Sequence, residues 1–260
     1  MRRSVPVLLW APAAIALALV VLPVIGLVAR SDLGRLPQLV TSPTALEALW
    51  LSVRTGATAT VLSVLLGGPL AVVLARGRLP GLRVLRAVVL LPLVLPPVVG
   101  GLALLYLLGR NGFGGQVLAV FGLRLPFTTA AVIIAQTFVA MPFLVIGLEG
   151  ALRTAGERYE AVAATLGAAP WTVFRRVTVP LLLPALGSSL VLAFARSLGE
   201  FGATITFAGN LEGTTQTLPL LVYVQSESDV DAAVAVSLLL VVLAIVVIAV
   251  ARPRSIEGRL

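Results

Sequence analysis

Cysteine, histidine and lysine are all absent from this chain of 260 residues, and charge of either sign is scarce. Without Cys, no disulfide framework and no thiolate metal site can form. Without His, the commonest metal ligand and the commonest general base are gone. Without Lys, a phosphate-binding loop of the form G-x-x-x-x-G-K-[ST] is impossible. If a nucleoside triphosphate drives this protein, another polypeptide must bind it. Only 12% of the residues are charged, against about 25% in soluble domains. No clustered intramembrane carboxylates stand out, so an enzyme is disfavoured, and no cofactor or metal is expected in this chain.

What fills the chain instead is apolar. Hydrophobic residues make up 59%, and the mean hydropathy is +1.08. A core of this size cannot hide that much apolar surface from water, so the bilayer is the natural solvent. The net charge of +8 rests on 19 basic residues, all of them Arg. They sit in short segments between apolar runs. Nucleic-acid binding would need them gathered on one soluble face, so no nucleic-acid partner is expected.

A spanning helix needs about 20 apolar residues. Candidate spans fall at 5–29, 48–75, 87–108, 128–148, 181–207 and 232–251, in a single membrane domain covering the whole chain. The first run follows Met1-Arg2-Arg3 and is too long for a secretory h-region, so it reads as a retained span. With the N-terminus inside, the inner loops hold Arg2, Arg3, Arg76, Arg78, Arg83, Arg86, Arg153, Arg158, Arg175, Arg176, Arg252, Arg254 and Arg259. The outer loops then hold only Arg30, Arg35, Arg110 and Arg124. That bias puts both termini in the cytoplasm. Arg54 lies near the outer end of its span, where snorkelling explains it. The outer connections near 31–46 and 208–231 read as loops. Ile256-Glu257-Gly258-Arg259 spell a protease-recognition tetrapeptide and carry no functional reading.

The segment 157–176 is different in kind. Glu157 and Glu160 favour a helix start. Tyr159, Val162, Ala163 and Leu166 follow at helical spacing and form one apolar face, expected to lie against the protein's own spans. Gly167 suits the left-handed position that ends a helix, and Pro170 suits the first position of a second short helix. Trp171 and Phe174 give that second helix an apolar side. Glu160, Ala161, Ala164, Gly167 and Ala168 form a small, polar side that another protein could approach closely. An amphipathic helix lying flat on lipid is the competing reading. The Gly-x-x-Pro break favours a shaped projection, because a surface-lying helix gains nothing from a bend.

Arg196 and Glu200 are four apart, so they are expected to pair on one helix face. Ala195, Gly199 and Ala203 form an adjacent stripe of small residues suited to close packing. Pro92, Pro96 and Pro97 free backbone groups that neighbours or water must satisfy, which makes the start of the third span a candidate hinge or gate.

These residues carry a resemblance. The spacing Ala161-Val162-Ala163, then Gly167, then Val177-x-Val179-Pro180 is similar to the cytoplasmic-loop pattern E-A-A-x3-G-x9-I-x-L-P of ABC importer permeases. Here Ala161 replaces the pattern's Glu, and Glu160 stands one residue earlier. The run from Leu91 through Pro96 and Pro97 to Gly100, the turn Gly109-Arg110-Asn111-Gly112, and the block from Leu192 through Arg196 and Glu200 to Thr204 resemble molybdate permeases. The match covers most of 45–225, and its span-five block is specific for the molybdate, tungstate and sulfate group.

The resemblance implies an all-α, six-span, type I importer permease in a bacterial or archaeal cytoplasmic membrane. It implies two permease copies, a pair of cytoplasmic ATPase subunits docked on the 157–176 segments, and an extracytoplasmic oxyanion-binding protein. It assigns Glu160, Ala161, Ala164, Gly167, Ala168, Pro170 and Trp171 to ATPase coupling. It makes Pro96, Pro97, Arg196, Glu200 and Thr204 candidates for the pathway or gate. Molybdate is the expected substrate, with tungstate beside it and sulfate as the alternative. Moving an anion into a negative interior costs about 2.3 kcal/mol per charge per 100 mV, hence about 4.6 kcal/mol for a dianion. A stand-alone channel could not accumulate such an ion.

Overall fold

Ser42 and Thr128 each precede a long apolar run, and each side chain accepts a hydrogen bond from the backbone N–H three residues on, Ala45 and Ala131 respectively. Such caps satisfy amides that have no partner inside the helix. The computed structural model describes residues 6–77 and 79–250. The sequence readings on Met1-Arg2-Arg3, the start of the first span at Val5, Arg78, Ala251, Arg252, Arg254 and 256–259 lie outside the described residues.

The described chain is helical and contains no strand. A 3-10 turn, Val7–Leu9, leads into α1, Trp10–Arg30. Then come α2, Leu36–Val40, and α3, Pro43–Arg76. A bent pair follows, α4, Leu82–Val94, and α5, Pro97–Leu108. Next are α6, Phe113–Val120, α7, Thr129–Ala155, and α8, Arg158–Thr165. The four-residue α9, Pro170–Val173, passes through one turn of π-helix, Phe174–Thr178, into α10, Val179–Leu198. The described chain closes with α11, Gly202–Phe207, α12, Leu218–Ser228, and α13, Val230–Val250. Among the described residues, 5 helices are long and apolar enough to cross a membrane, or 6 if α4 and α5 count as one span.

Three expected elements differ from what forms. The third span is not straight: the chain bends by 114° between α4 and α5. Leu95, which precedes Pro96, is extended at φ −65°, ψ 134°, and Pro96 is extended at φ −53°, ψ 133°. A residue before proline is pushed out of the helical region, so two successive prolines stop α4, and Pro97 restarts the chain as α5. The fifth span does not reach 207. It stops at Leu198, and residues 199–201 break it before α11. Gly199 and Ala203 therefore do not continue a stripe from Ala195; Ala203 is buried on α11. The connection 208–231 is no loop either, because α12 buries Leu218, Leu220 and Leu221.

Packing follows the rule for helices in lipid, where small residues let backbones approach. α3 lies against α7 and α10. A Cβ on Gly67 would meet Met141 Cγ at 2.9 Å, and one on Gly56 would meet the Phe194 ring at 3.1 Å. Ala71, Leu74, Leu148, Leu152 and Leu182 fill the core at the α8 end. Leu104, Ala135, Val139, Ala203 and Phe207 fill the opposite end. Ala45, Ala48, Leu218 and Val236 seat α12 and α13 on the head of α3, and Ser52 Oγ accepts from the Leu218 N–H at 2.8 Å. By contrast, α1 buries no residue within this chain.

Candidate functional site

The α8 segment begins at the base of α3 and α7. Gly156 turns the chain at φ 67°, and α8 then runs to Thr165. Gly167 adopts φ 80°. Its N–H donates to Ala164 O at 3.0 Å, and the Ala168 N–H donates to Ala163 O at 3.1 Å. Two orphan carbonyls of α8 are satisfied by that left-handed turn. Pro170 then occupies the first position of α9, as expected. The second arm is not a separate helix, however. It is the first turn of the helix that continues to Leu198. The π turn between them has a local cause. Pro180 has no N–H to offer Arg176 O, and its ring crowds that carbonyl; a widened turn just before it relieves the clash. Trp171 and Phe174 stack with centroids 5.4 Å apart.

The orientation of α8 reverses the expectation. Tyr159, Val162 and Leu166 do not pack on the spans; they are 60%, 53% and 82% exposed. The small side faces back toward the bundle. Glu160, Ala161, Ala164 and Ala168 line a groove of about 740 Å³ closed by Val72 and Arg76 of α3 and by Pro170, Phe174 and Thr178. Ala161 and Ala164 remain exposed along its mouth, and Gly167 is exposed beyond it.

Glu160 is the root of this arrangement. Its Oε2 accepts from Arg76 Nε at 2.8 Å, and its Oε1 accepts from Thr178 Oγ1 at 2.8 Å. Arg76 Nη2 also donates to Gly156 O at 2.6 Å. The carboxylate thus ties α8 to the ends of both α3 and the α9–α10 helix. It is committed inside the chain and is not presented outward. No local pattern in the sequence points to Arg76 or Thr178, whose contacts with Glu160 span 84 and 18 residues.

A second charged knot lies beside it. Glu149 Oε1 accepts from Arg86 Nη2 at 2.6 Å and from Arg153 Nε at 2.9 Å. Arg153 Nη2 donates to Leu74 O at 3.1 Å. Arg86 and Arg153, read from sequence as loop charges, therefore sit on α4 and α7 and join them to the last turn of α3. The carbonyls of a helix C-terminus favour such cations.

At the other end of α10, Arg196 Nη2 lies 2.6 Å from Glu200 Oε2. The pair forms although Glu200 stands beyond the helix. Glu200 is 1% exposed, and its Oε1 accepts from the Ala203 N–H at 2.8 Å, capping α11. Thr204 is also fully buried, and its hydroxyl has no partner among the described residues. Arg196 alone of these keeps part of its side chain accessible, 25%. Pro96 and Pro97 lie at the bend, where Gly202 packs against Pro97. Among the described residues, no group of three acidic side chains could hold a metal ion.

With this geometry in place, the chain can be compared with known proteins. Residues 63–253 match the family model described as "Binding-protein-dependent transport system inner membrane component". The chain is 57% identical over 222 residues to the "Molybdenum transport system permease protein ModB" of Mycobacterium tuberculosis, covering 85% of this chain and 84% of that one. It is 37% identical over 188 residues to the "Sulfate transport system permease protein CysT" of Escherichia coli, covering 72% and 68%. In fold it resembles a chain of a bacterial ABC transporter that imports alginate, with TM-score 0.69, 20% identity and 96% of each chain covered.

Proposed function

Because the chain belongs to the family of binding-protein-dependent transport inner membrane components, we propose that it is the permease subunit of an ATP-driven importer for molybdate. Tungstate is a second substrate on this reading. ATP is hydrolysed in a separate chain, a pair of which docks on two copies of this permease from the cytoplasm. An extracytoplasmic binding protein delivers the oxyanion.

The observation that carries the coupling part is the geometry of α8. An apolar edge of Tyr159, Val162 and Leu166 stands free in the described chain, while Glu160 anchors the opposite side to α3 and α10. Exposed apolar side chains on a helix with an ion-paired root are suited to fill a groove on a partner. The root passes displacement of α8 to two spans at once. The Glu149 knot extends that connection to α4, the first half of the bent pair. The α4–α5 bend at Pro96 and Pro97 is the element whose angle such a lever would change. Arg196 is the pathway candidate, because its guanidinium retains access that Glu200 and Thr204 lack. Glu200 instead caps α11 through the Ala203 N–H.

The test is reconstitution with the cognate ATPase and binding protein, followed by ATP hydrolysis with molybdate, tungstate or sulfate. Stimulation by molybdate, and none without the binding protein, is expected. Equal or greater stimulation by sulfate would move the assignment to the sulfate importers, to which the 37% identity is the pointer. Uphill uptake by the permease alone would remove the ATPase from the scheme.

A further inference from the structure

Arg110 and Arg124 flank one cavity of about 380 Å³ at the end of the bundle opposite α8. Its remaining walls are mostly apolar: Leu105 and Leu108 of α5, Ala119 of α6, Leu123 and Phe127. The sequence builds this space locally. After α5, the turn Gly109-Arg110-Asn111-Gly112 folds α6 back as a short roof. A Cβ on Gly112 would strike the carbonyl oxygens of Tyr106 and Leu107, and one on Gly115 would strike that of Gly109. Phe127 closes the far side with φ 62°, a left-handed conformation for a residue that is not glycine. Its ring occupies the space beside Gly209, where a Cβ would come within 2.7 Å. Backbone strain of this kind persists only where the surroundings over-determine it.

Two further features say what fits. Both guanidiniums are exposed, and among the described residues neither has an ion-pair or hydrogen-bond partner. The roof turns an apolar edge outward, with Phe113, Val117, Val120 and Phe121 all exposed. A helix of that character, placed where α5 ends and α7 begins, belongs at the boundary between headgroups and hydrocarbon. The cavity there is apolar within and cationic at its mouth. An inorganic dianion would lose hydration against leucine and phenylalanine without enough donors to replace it. An acyl chain loses nothing there, and two arginines suit a phosphate.

We infer that this cavity binds an anionic phospholipid, with the phosphate between Arg110 and Arg124 and an acyl chain against Leu105, Leu108 and Leu123. The inference rests on the membrane-spanning reading and not on the identity of the transported ion. The lipid would fasten the α5–α6 corner, and with it one arm of the bent pair.

The experiment is thermal unfolding of the purified full chain in detergent with phosphatidylglycerol or with phosphatidylcholine of the same chains. Native mass spectrometry counts the bound lipid. Phosphatidylglycerol should raise Tm above phosphatidylcholine by about 2–4 °C and add a retained lipid. Arg110→Gln with Arg124→Gln should erase both effects. Arg54→Gln, at an exposed arginine on α3 that lines no such cavity, should keep them. Should the double variant not fold, Leu123→Trp fills the cavity with both arginines intact and should likewise erase them. Millimolar inorganic phosphate or molybdate should leave the lipid effect unchanged. A lipid preference that survives in the double variant or the Trp variant, vanishes in Arg54→Gln, or is abolished by the inorganic anions overturns the inference.

Discussion

Arg76 Nε lies 2.8 Å from Glu160 Oε2, joining the last residue of α3 to the first turn of α8 across 84 positions of chain. The two side chains are only 16% and 17% exposed. The pair therefore acts in a partly desolvated setting, where hydrogen bonds to charged groups are worth about 1.5–3 kcal/mol. Glu160→Ala should lower stability by about that amount and loosen α8 from both spans. In a double-mutant cycle, Arg76→Gln and Glu160→Gln should be non-additive, because each removes the same contact. Thermal unfolding reads the stability. The ratio of oxyanion uptake to ATP hydrolysis reads the coupling, which should fall in the single variants. Additive effects would show that the two residues act separately.

The turn at Gly167 separates strain from crowding. A Cβ there meets nothing within 4 Å, so a substitution is opposed by φ 80° alone. A β-branched residue in that region costs about 1–3 kcal/mol, whereas Asn visits it readily. Gly167→Val should leave the spans inserted and uncouple hydrolysis from uptake, and Gly167→Asn should keep coupling close to the parent. Equal coupling in the two variants would mean that the bend does not act as a lever.

Leu166 is 82% exposed and contributes little to the permease's own packing. Leu166→Asp should therefore leave the Tm of the isolated permease unchanged. If α8 docks apolar edge first, the same change should weaken ATPase association at least about tenfold, in the range of an interface anchor. Copurification or a binding isotherm with the ATPase makes the measurement. Undiminished association would point to the groove side, Ala161, Ala164 and Ala168, as the docking face.

Arg196 and Glu200 make a prediction about order. Removing one partner of a buried ion pair leaves an uncompensated charge and costs about 3–5 kcal/mol, whereas replacing both can be nearly neutral. Arg196→Gln should thus be more destabilising than Arg196→Gln combined with Glu200→Gln. The uptake of the stable double variant then tests the pathway role. Normal molybdate uptake would confine Arg196 to holding helix orientation.

Much of this protein is visible in its residues. The span-five block and the spacing of Ala161, Gly167 and Pro180 were sufficient to identify the family, and the apolar runs overlap the long helices of the described chain. Pro96 and Pro97 marked a candidate hinge, although the 114° bend exceeded anything their presence specifies. The face of α8 was misread. Periodicity showed where its apolar side lay but could not say whether that side met the protein or a partner, because both environments reward the same residues. Glu160 stood out in the sequence as an outward docking charge, whereas the structure pairs it with Arg76 and Thr178 on two other helical segments.

Composition determined the solvent, and the length of the apolar runs the secondary structure. A chain so poor in charge belongs in hydrocarbon, where backbone polar groups must pair within helices or a closed barrel, and apolar runs of about 20 residues fit the helix. Composition also determined that no Lys-bearing phosphate loop resides here. Only the tertiary structure decided which charges meet: Arg76 with Glu160, Arg86 and Arg153 with Glu149, and, at one cavity, Arg110 and Arg124, unpaired among the described residues. Those outcomes depend on helix ends brought together from distant parts of the chain, and charge pairing at such range leaves no periodic trace in a sequence.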